Sequence, residues 1–230
     1  MKNIVKEKPT DLLSGRTLYS TGFIDNEDVV DKTILDIGCG YGWLEINLSQ
    51  RGAKKIIGTE INEENLVTAK NCIFNKSILF DTASAIKLPY ENNCFDTVIS
   101  FEVIEHIPKN SEEKMFKEVY RVLKNNGMFY LSTPNDNIFS KISDPAWILI
   151  GHRHYKCNDL IKLGKQCGFK IKNIAIKGRW WDIISINDLY ISKWFFHRRP
   201  FFERYINKKN DNDYKNKEGF CTIFLCYQKI

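Results

Sequence analysis

The sequence predicts an α/β fold in which a mostly parallel β-sheet carries helices on both of its faces. Short apolar runs alternate with segments of helical spacing between residues 33 and 133, and this alternation is typical of parallel strands connected by helices. A glycine-rich turn joins the first apolar run to the first helical segment. The 230 residues, 43% hydrophobic and 27% charged, are enough for one globular domain with a sizeable core.

Five strands are predicted in the first part of the chain, at residues 33–37, 55–60, 78–83, 95–101 and 127–133. Each is a short apolar run, as expected of strands that are buried on both faces. Helices are predicted at 43–51, after the capping residue Asn62, and at 111–123, where Asn125 and Asn126 would form a terminating turn. Glu63 and Glu64 lie in a first helical turn, where the helix dipole favours negative charge.

The second part of the chain is less regular. Residues 135–157 are predicted to be a long connection, followed by a helix from Asn158 to Cys167 and a strand at 169–177. An aromatic and basic segment at 178–206 comes next. We expect 207–217 to be a mobile loop because it is strongly polar, and 220–228 to be the closing strand. The first 30 residues are predicted to form capping helices or a lid.

Composition limits the classes of protein that this chain can represent. No apolar run reaches the roughly 18 residues of a spanning helix, and the N-terminus lacks the pattern of a signal peptide. Seven scattered cysteines without a CxxC pair fit a reducing cytoplasm, which is the predicted location. The formal charge is −4 over residues 1–150 and +10 over 151–230. A basic second part indicates either a basic cleft or an anionic partner.

The glycine-rich turn is the strongest indication of a ligand. Glycines let the backbone turn sharply and bring its N–H groups close to a ligand, at the start of a helix that offers further donors. Glu60 ends the next strand, where a carboxylate would face the ribose hydroxyls of a nucleoside. The turn lacks the GxGxxG spacing of dinucleotide sites. Asp36 beside the turn would repel a pyrophosphate and attract a cation, which fits S-adenosylmethionine.

At this point the sequence resembles the class I S-adenosylmethionine-dependent methyltransferases. The matching motifs are DIGCGYG at 36–42, the acidic Glu60, LPY at 88–90, FDTV at 95–98 and EVIEH at 102–106. The subgroup that it resembles is the small-molecule, methyltransferase type 11 group that includes quinone-biosynthesis O-methyltransferases. The resemblance covers about 33–135, is looser over 152–177, and is absent from 178–217.

The resemblance implies a Rossmann-like, seven-stranded, mostly parallel sheet whose last strand is antiparallel. Residues 31–230 would form a single methyltransferase domain behind an N-terminal lid at 1–30, with an insertion at about 178–217. The residues predicted to bind S-adenosylmethionine are Asp36, Gly38, Cys39, Gly40, Tyr41, Glu60, Ile61, Ser84, Ala85 and Phe101. The subgroup usually has an aspartate where this chain has Ser84. The adenine is therefore held either by Ser84 with backbone groups or by Asp81.

Histidines are the candidate catalytic bases. For a hydroxyl acceptor, the protein must align the acceptor, exclude water and remove a proton. His106 follows the fourth strand, where parallel sheets place their ligands, and it is the first candidate; its alternative role is to cap a turn. His154 with Tyr155 is the second candidate. His152 and His154 would share one face of an extended segment, but no acidic residue lies nearby in sequence, so no metal site is predicted.

The predicted activity is O-methylation of a small molecule, such as a quinone precursor, a glycan or a lipid-linked intermediate. The alternatives are an RNA methyltransferase that uses the basic C-terminal region and a non-catalytic cofactor-binding subunit. The aromatic and basic segment 178–206 suits a pocket lid, a peripheral contact with lipid at the inner membrane face, or stacking on RNA bases. Residues 100–103 read SFEV and do not resemble the motif of base-amino methyltransferases, which disfavours nucleic acid.

Overall fold

One seven-stranded sheet organises the computed structural model, which describes residues 8–144, 147 and 151–230. The strands are β1 (Thr33–Ile37), β2 (Lys55–Glu60), β3 (Ile78–Thr82), β4 (Phe95–Phe101), β5 (Leu123–Pro134), β6 (Phe169–Lys177) and β7 (Thr222–Lys229). Their spatial order is β3-β2-β1-β4-β5-β7-β6. The pairs among β1 to β5 are parallel, and β7 is antiparallel to both neighbours. The predicted Rossmann-like fold with an antiparallel last strand is confirmed.

Eight α-helices are present in the described part of the chain. They are α1 (Gly15–Phe23), α2 (Trp43–Gln50), α3 (Glu63–Cys72), α4 (Glu112–Val122), α5 (Ile138–Ile142), α6 (Cys157–Gln166), α7 (Trp180–Trp194) and α8 (Glu203–Lys215). The predicted cap of α3 is present, since the Asn62 side chain accepts a hydrogen bond from the Glu64 N–H at 2.9 Å. Within the described residues, no helix combines the length and the apolarity needed to cross a membrane.

The sheet separates two apolar cores. Successive residues of a strand point to opposite faces, so Ile34 packs in one core and Leu35 in the other. Both are fully buried, which explains why β1 reads as a continuous apolar run. Aromatic side chains fill much of the second core, where the rings of Phe116 and Phe129 pack edge to face at 5.5 Å. This packing holds the carboxyl ends of the strands in fixed positions.

The prediction of a mobile loop at 207–217 is wrong, because α8 extends from Glu203 to Lys215. Ile206, Asn210 and Tyr214 are buried along one face of α8, and two aspartates on this helix accept hydrogen bonds at the starts of other helices. Asp211 accepts one from the Gly15 N–H of α1, and Asp213 one from the Trp181 N–H of α7. Polar side chains of this segment therefore accept hydrogen bonds from the N-terminal N–H groups of two other helices, which explains why a polar segment is folded.

Three element boundaries also differ from those predicted. The helix α6 begins at Cys157 after Lys156, one residue before the predicted cap Asn158. The strand β5 begins at Leu123, directly after α4, because residues on both sides of the predicted turn pair with β4 across a shift in register. The last strand covers 222–229 rather than 220–228. The boundaries of the lid at 1–30 and of the domain at 31–230 stay predictions.

Candidate active site

The glycine-rich turn lies at the carboxyl end of β1. Gly38, Gly40 and Gly42 have φ values of 77°, 55° and 86°, in the left-handed region that favours glycine. The N–H groups of Gly38 and Cys39 donate to the Thr59 carbonyl at 2.7 and 2.9 Å. A Cβ atom on Gly38 would overlap the Val103 side chain. The turn is therefore anchored to β2 and packed closely against the segment that follows β4.

A pair of buried carboxyl groups lies beneath this turn. Asp36 is 3% exposed and Glu45, in the first turn of α2, is fully buried. Burial and the neighbouring carboxyl group raise the pKa of Asp36 well above its ordinary value, and burial raises that of Glu45 to about 7. The Glu45 carboxyl group meets that of Asp36 through a side-chain hydrogen bond. We infer that the two carboxyl groups share one proton at neutral pH. Sequence reasoning missed Glu45.

The remaining predicted cofactor residues lie along the same edge of the sheet. Glu60 ends β2, and its carboxylate accepts a hydrogen bond from the Ile61 N–H at 2.9 Å. Ser84 begins a turn in which its carbonyl accepts from the Lys87 N–H, and Ala85 and Phe101 are buried. The alternative adenine ligand, Asp81, accepts a hydrogen bond from the Tyr90 hydroxyl at 3.0 Å. A ribose and an adenine laid from Glu60 towards Ser84 would follow this edge.

The segment after β4 lies between the cofactor edge of the sheet and a cavity at the carboxyl ends of β4 and β5. Glu102 has a φ of 58°, unusual for a residue other than glycine. Its carboxylate accepts a hydrogen bond from the Ser132 hydroxyl at 2.7 Å and pairs with the Arg16 guanidinium at 2.6 Å. Arg16 belongs to α1, so the N-terminal helix is fastened directly to the carboxyl end of β4. Sequence reasoning did not identify Arg16 as a site residue.

Arg153 holds the same segment from the other side. Its guanidinium donates to the carbonyls of Ile104, Glu105 and Ile107 and pairs with Glu112. The Tyr155 hydroxyl, named with His154 as the second candidate, donates to the Ile104 carbonyl and to Glu112, both at 3.0 Å. Tyr155 is not among the residues that line the cavity.

The cavity at the carboxyl ends of β4 and β5 has a volume of about 160 Å³. Its walls differ in character. One wall is polar and comes from the segments around β4 and β5, whereas the other comes from α7 and includes Ile183, Ile186, Leu189 and Tyr190. The helix α7 belongs to the segment for which the sequence showed no family resemblance. Its apolar wall could cover the carbon skeleton of an acceptor and exclude water.

Three histidines meet at the polar wall. The Nδ1 atom of His152 lies 2.7 Å from Asp144 Oδ2, and its Nε2 atom lies 3.8 Å from Glu105 Oε1. The ring centroids of His106 and His154 lie 4.7 and 6.0 Å from that of His152. Both predicted histidines therefore line the cavity, as expected. The structure adds His152 with Asp144, a carboxylate that the sequence did not place beside the histidines.

Burial determines how the two predicted histidines titrate. Burial, assisted by neighbouring His152, lowers the pKa of His106 to about 4, and burial also lowers the pKa of His154. Both side chains are therefore neutral at physiological pH. A base whose pKa is far below the working pH removes a proton poorly. His106 is consequently a weaker candidate for the base than its position suggested.

A cation is the other ligand that this cluster could hold. One ligand atom each from Glu105, His106 and His152 lies within 4.8 Å of the other two. Imidazole and carboxylate groups are common ligands of transition metals. The sequence predicted no metal site because no acidic residue lies next to His152 and His154 along the chain. The fold supplies the missing carboxylates, Glu105 and Asp144, from outside the HRHY run.

Comparisons with known proteins identify the family of this chain. Residues 35–131 match a methyltransferase domain family. A ubiquinone biosynthesis O-methyltransferase of Idiomarina loihiensis is 30% identical over 173 residues, which cover 68% of this chain and 69% of that protein. The mitochondrial ubiquinone biosynthesis O-methyltransferase of Rattus norvegicus is 33% identical over 129 residues, 54% of this chain and 36% of that protein. The chain spans 26% to 73% of the lengths of the curated relatives compared.

Solved structures show the same fold. An S-adenosylmethionine-dependent methyltransferase of Mesorhizobium loti superposes with a TM-score of 0.64 over 92% of this chain and 96% of the other, at 16% identity. Together with the sequence relatives, this places the chain in the class I S-adenosylmethionine-dependent methyltransferases, and it belongs to that family. Its methyl donor is S-adenosylmethionine. Within the class, the match over residues 35–131 is to the methyltransferase type 11 domain model.

The residues of this chain fit the donor. A glycine-rich turn, buried carboxyl groups beneath it and a carboxylate at the end of β2 match a ligand with a cationic amino-acid end and a ribose. The cofactor-binding assignments of Asp36, Gly38 and Glu60 nevertheless stay predictions, as do those of the other residues along this edge.

Proposed function

We propose that this chain methylates a hydroxyl group of a small molecule bound in the cavity between β4, β5 and α7. The observation that carries this proposal is the pairing of His152 with Asp144 at the polar wall. An acceptor hydroxyl must lose a proton as it is methylated, so a positioned base favours an oxygen acceptor. The relatives whose names specify ubiquinone biosynthesis support a phenolic quinone precursor; a glycan or a lipid-linked intermediate is the alternative.

In this proposal His152 is the base. A carboxylate at Nδ1 holds the imidazole in the tautomer whose Nε2 atom can accept a proton, and it stabilises the imidazolium that results. Neither His106 nor His154 has a partner of this kind at 2.7 Å. His152 therefore takes the role for which the sequence nominated His106 first and His154 second.

Other residues would bind and orient the reactants. Bound S-adenosylmethionine supplies an activated methyl group. The glycine-rich turn and Glu60 would hold it, with Asp36 near its cationic end. The wall formed by α7 would press the acceptor towards Glu102 and exclude water, while Arg16 neutralises the Glu102 carboxylate. Because the polar wall carries the Asp144 carboxylate beside His152, it suits a neutral hydroxyl compound better than an anion.

The activity is tested by incubating the chain with methyl-labelled S-adenosylmethionine and a cell extract. We expect label in the organic phase, or in the aqueous phase if the acceptor is a sugar. Nuclease-sensitive label in the precipitate would contradict the proposal and favour the RNA methyltransferase. Absence of transfer in spite of measured cofactor binding would favour a non-catalytic subunit.

The buried carboxyl pair predicts that cofactor binding depends on pH. In the free protein, burial raises the pKa of both carboxyl groups, so they share a proton at neutral pH. A bound cation would lower these pKa values, and binding would therefore release a proton. Affinity should therefore increase with pH for as long as the free pair still carries the proton that binding releases, by up to about tenfold per unit. Calorimetry in buffers of different ionisation enthalpy measures the released proton.

The matched variant for this measurement is Glu45→Gln, which keeps the size of the side chain and removes its titration. We expect the variant to release fewer protons when the cofactor binds. Its affinity should also change less with pH between about pH 5.5 and 7, the range set by a pKa of about 7. An equal proton release by the parent and the variant would show that the pair does not sense the cofactor.

A further inference from the structure

The connection between α7 and α8 exposes an unusual number of large apolar side chains. We name residues 191–205, which include the last turn of α7 and the first residues of α8, the hairpin tip. Its exposed apolar residues are Ile191, Phe195, Phe196, Phe201, Phe202 and Tyr205, and Phe195 and Phe202 are 77% and 69% exposed. One exposed aromatic residue is ordinary, but a contiguous group of this kind marks an interaction surface.

The other residues that the structure describes do not cover this group. The inner face of α7 already lines the cavity with Ile183, Ile186 and Leu189. The buried face of α8 is used against α1 and α7, through Asp211 and Tyr214 among others. Within the tip, the rings of Phe196 and Phe201 pack edge to face at 5.2 Å, yet both stay exposed. The tip is thus held in shape by the hairpin while its apolar side chains face outwards.

The charges of the tip indicate the partner. Four basic residues, Lys193, Arg198, Arg199 and Arg204, accompany one acidic residue, Glu203. The two central arginines are exposed, and the Arg198 guanidinium lies 4.2 Å from the centroid of the Phe201 ring. Aromatic side chains surrounded by guanidinium groups match the boundary of an anionic bilayer, where rings enter the headgroup layer and cations meet phosphates.

We propose that the hairpin tip docks the protein onto the surface of a membrane that contains anionic phospholipids. The tip would enter the headgroup layer without crossing the bilayer. Because α7 runs from the tip to the cavity wall, docking would bring that wall close to lipid and shorten the path of a lipophilic acceptor. The docking itself does not require the proposed O-methylation, and its test measures binding alone.

The test is co-sedimentation of the full chain with vesicles. We expect binding to equimolar phosphatidylglycerol and phosphatidylcholine, weak binding to phosphatidylcholine alone, and release at high salt because exposed charges are screened. Replacement of both central arginines (Arg198→Gln/Arg199→Gln) should weaken binding about 30-fold, roughly fivefold for each charge. The Phe195→Ser/Phe202→Ser variant should also lose binding at moderate salt.

Matched variants on other surfaces keep this test specific. Lys162→Gln/Lys165→Gln removes two exposed charges from α6, and Phe74→Ser removes a side chain that is 90% exposed beyond α3. Both should bind vesicles like the parent, and all variants should bind S-adenosylmethionine and melt like the parent.

Four results would overturn the proposal. The first is that the parent does not bind anionic vesicles, and the second is that the tip variants and the control variants lose binding equally. The third and fourth are that the tip forms a dimer, or binds single-stranded RNA, in place of binding vesicles.

Discussion

Replacement of His152 by alanine is expected to lower kcat by about 100- to 10,000-fold, the usual contribution of a positioned general base. The binding of S-adenosylmethionine should be unchanged, because His152 lines the acceptor cavity rather than the glycine-rich turn. Asp144→Asn should lower kcat in the same direction, since the amide cannot stabilise the imidazolium. Initial rates with a saturating acceptor and single-turnover measurements test both variants.

His106→Ala and His154→Ala are the matched controls, because they remove the same side chain from the same cavity. We expect smaller losses than for His152→Ala. If His106 were the base, activity would rise with pH through its pKa, and the acidic limb of the pH profile would lie near pH 4. A limb at that pH, abolished by His106→Ala, would contradict our assignment.

The cluster of Glu105, His106 and His152 could instead bind a metal ion. Loss of activity on chelation, restored by a divalent cation, would show that Glu105, His106 and His152 act as metal ligands. That outcome would contradict the proposed role of His152 as a base. Elemental analysis of the purified protein and of His152→Ala would show the bound metal directly.

Replacement of Glu60 by alanine is expected to weaken the binding of S-adenosylmethionine by about 1–3 kcal/mol, the cost of leaving buried hydroxyl groups without their acceptor. The carboxylate is already oriented by the Ile61 N–H, so little freedom is lost when a ribose binds. Isothermal titration of the parent and the variant measures the difference. Glu63→Ala, an exposed carboxylate three residues later in α3, should leave the affinity unchanged. An unaltered dissociation constant for Glu60→Ala would remove this residue from the site.

The cofactor half of the site could be predicted from the sequence because it is built from adjacent pieces of chain. A strand, a glycine-rich turn and a helix make one local unit, and Glu60 ends the next strand. Parallel pairing of β1 with β2 then brings Asp36 and Glu60 to the same edge. Glu45 escaped notice because a glutamate in a first helical turn is usually a solvated capping residue. Only the packing of α2 against the sheet shows that it is buried.

The acceptor half could not be predicted in the same way. Arg16 and Glu102 are 86 residues apart, and nothing near either residue indicates its partner. In the sequence, the apolar residues of α7 belong to the aromatic and basic segment 178–206, which suits a pocket lid, a lipid contact or RNA binding equally. The helix α8 was predicted to be a loop because its buried face consists largely of asparagine, aspartate and tyrosine, which composition alone assigns to solvent.

The sequence by itself determined the class of fold and the methyl donor, and it predicted the edge of the sheet at which the donor would bind, because apolar periodicity and a strand–turn–helix motif depend on local geometry. The tertiary structure decided which histidine lies within hydrogen-bond distance of the Asp144 carboxylate, which wall closes the cavity and which aromatic residues stay exposed. These properties depend on contacts between distant segments, and a side chain's burial and charge environment exist only after those segments have packed together.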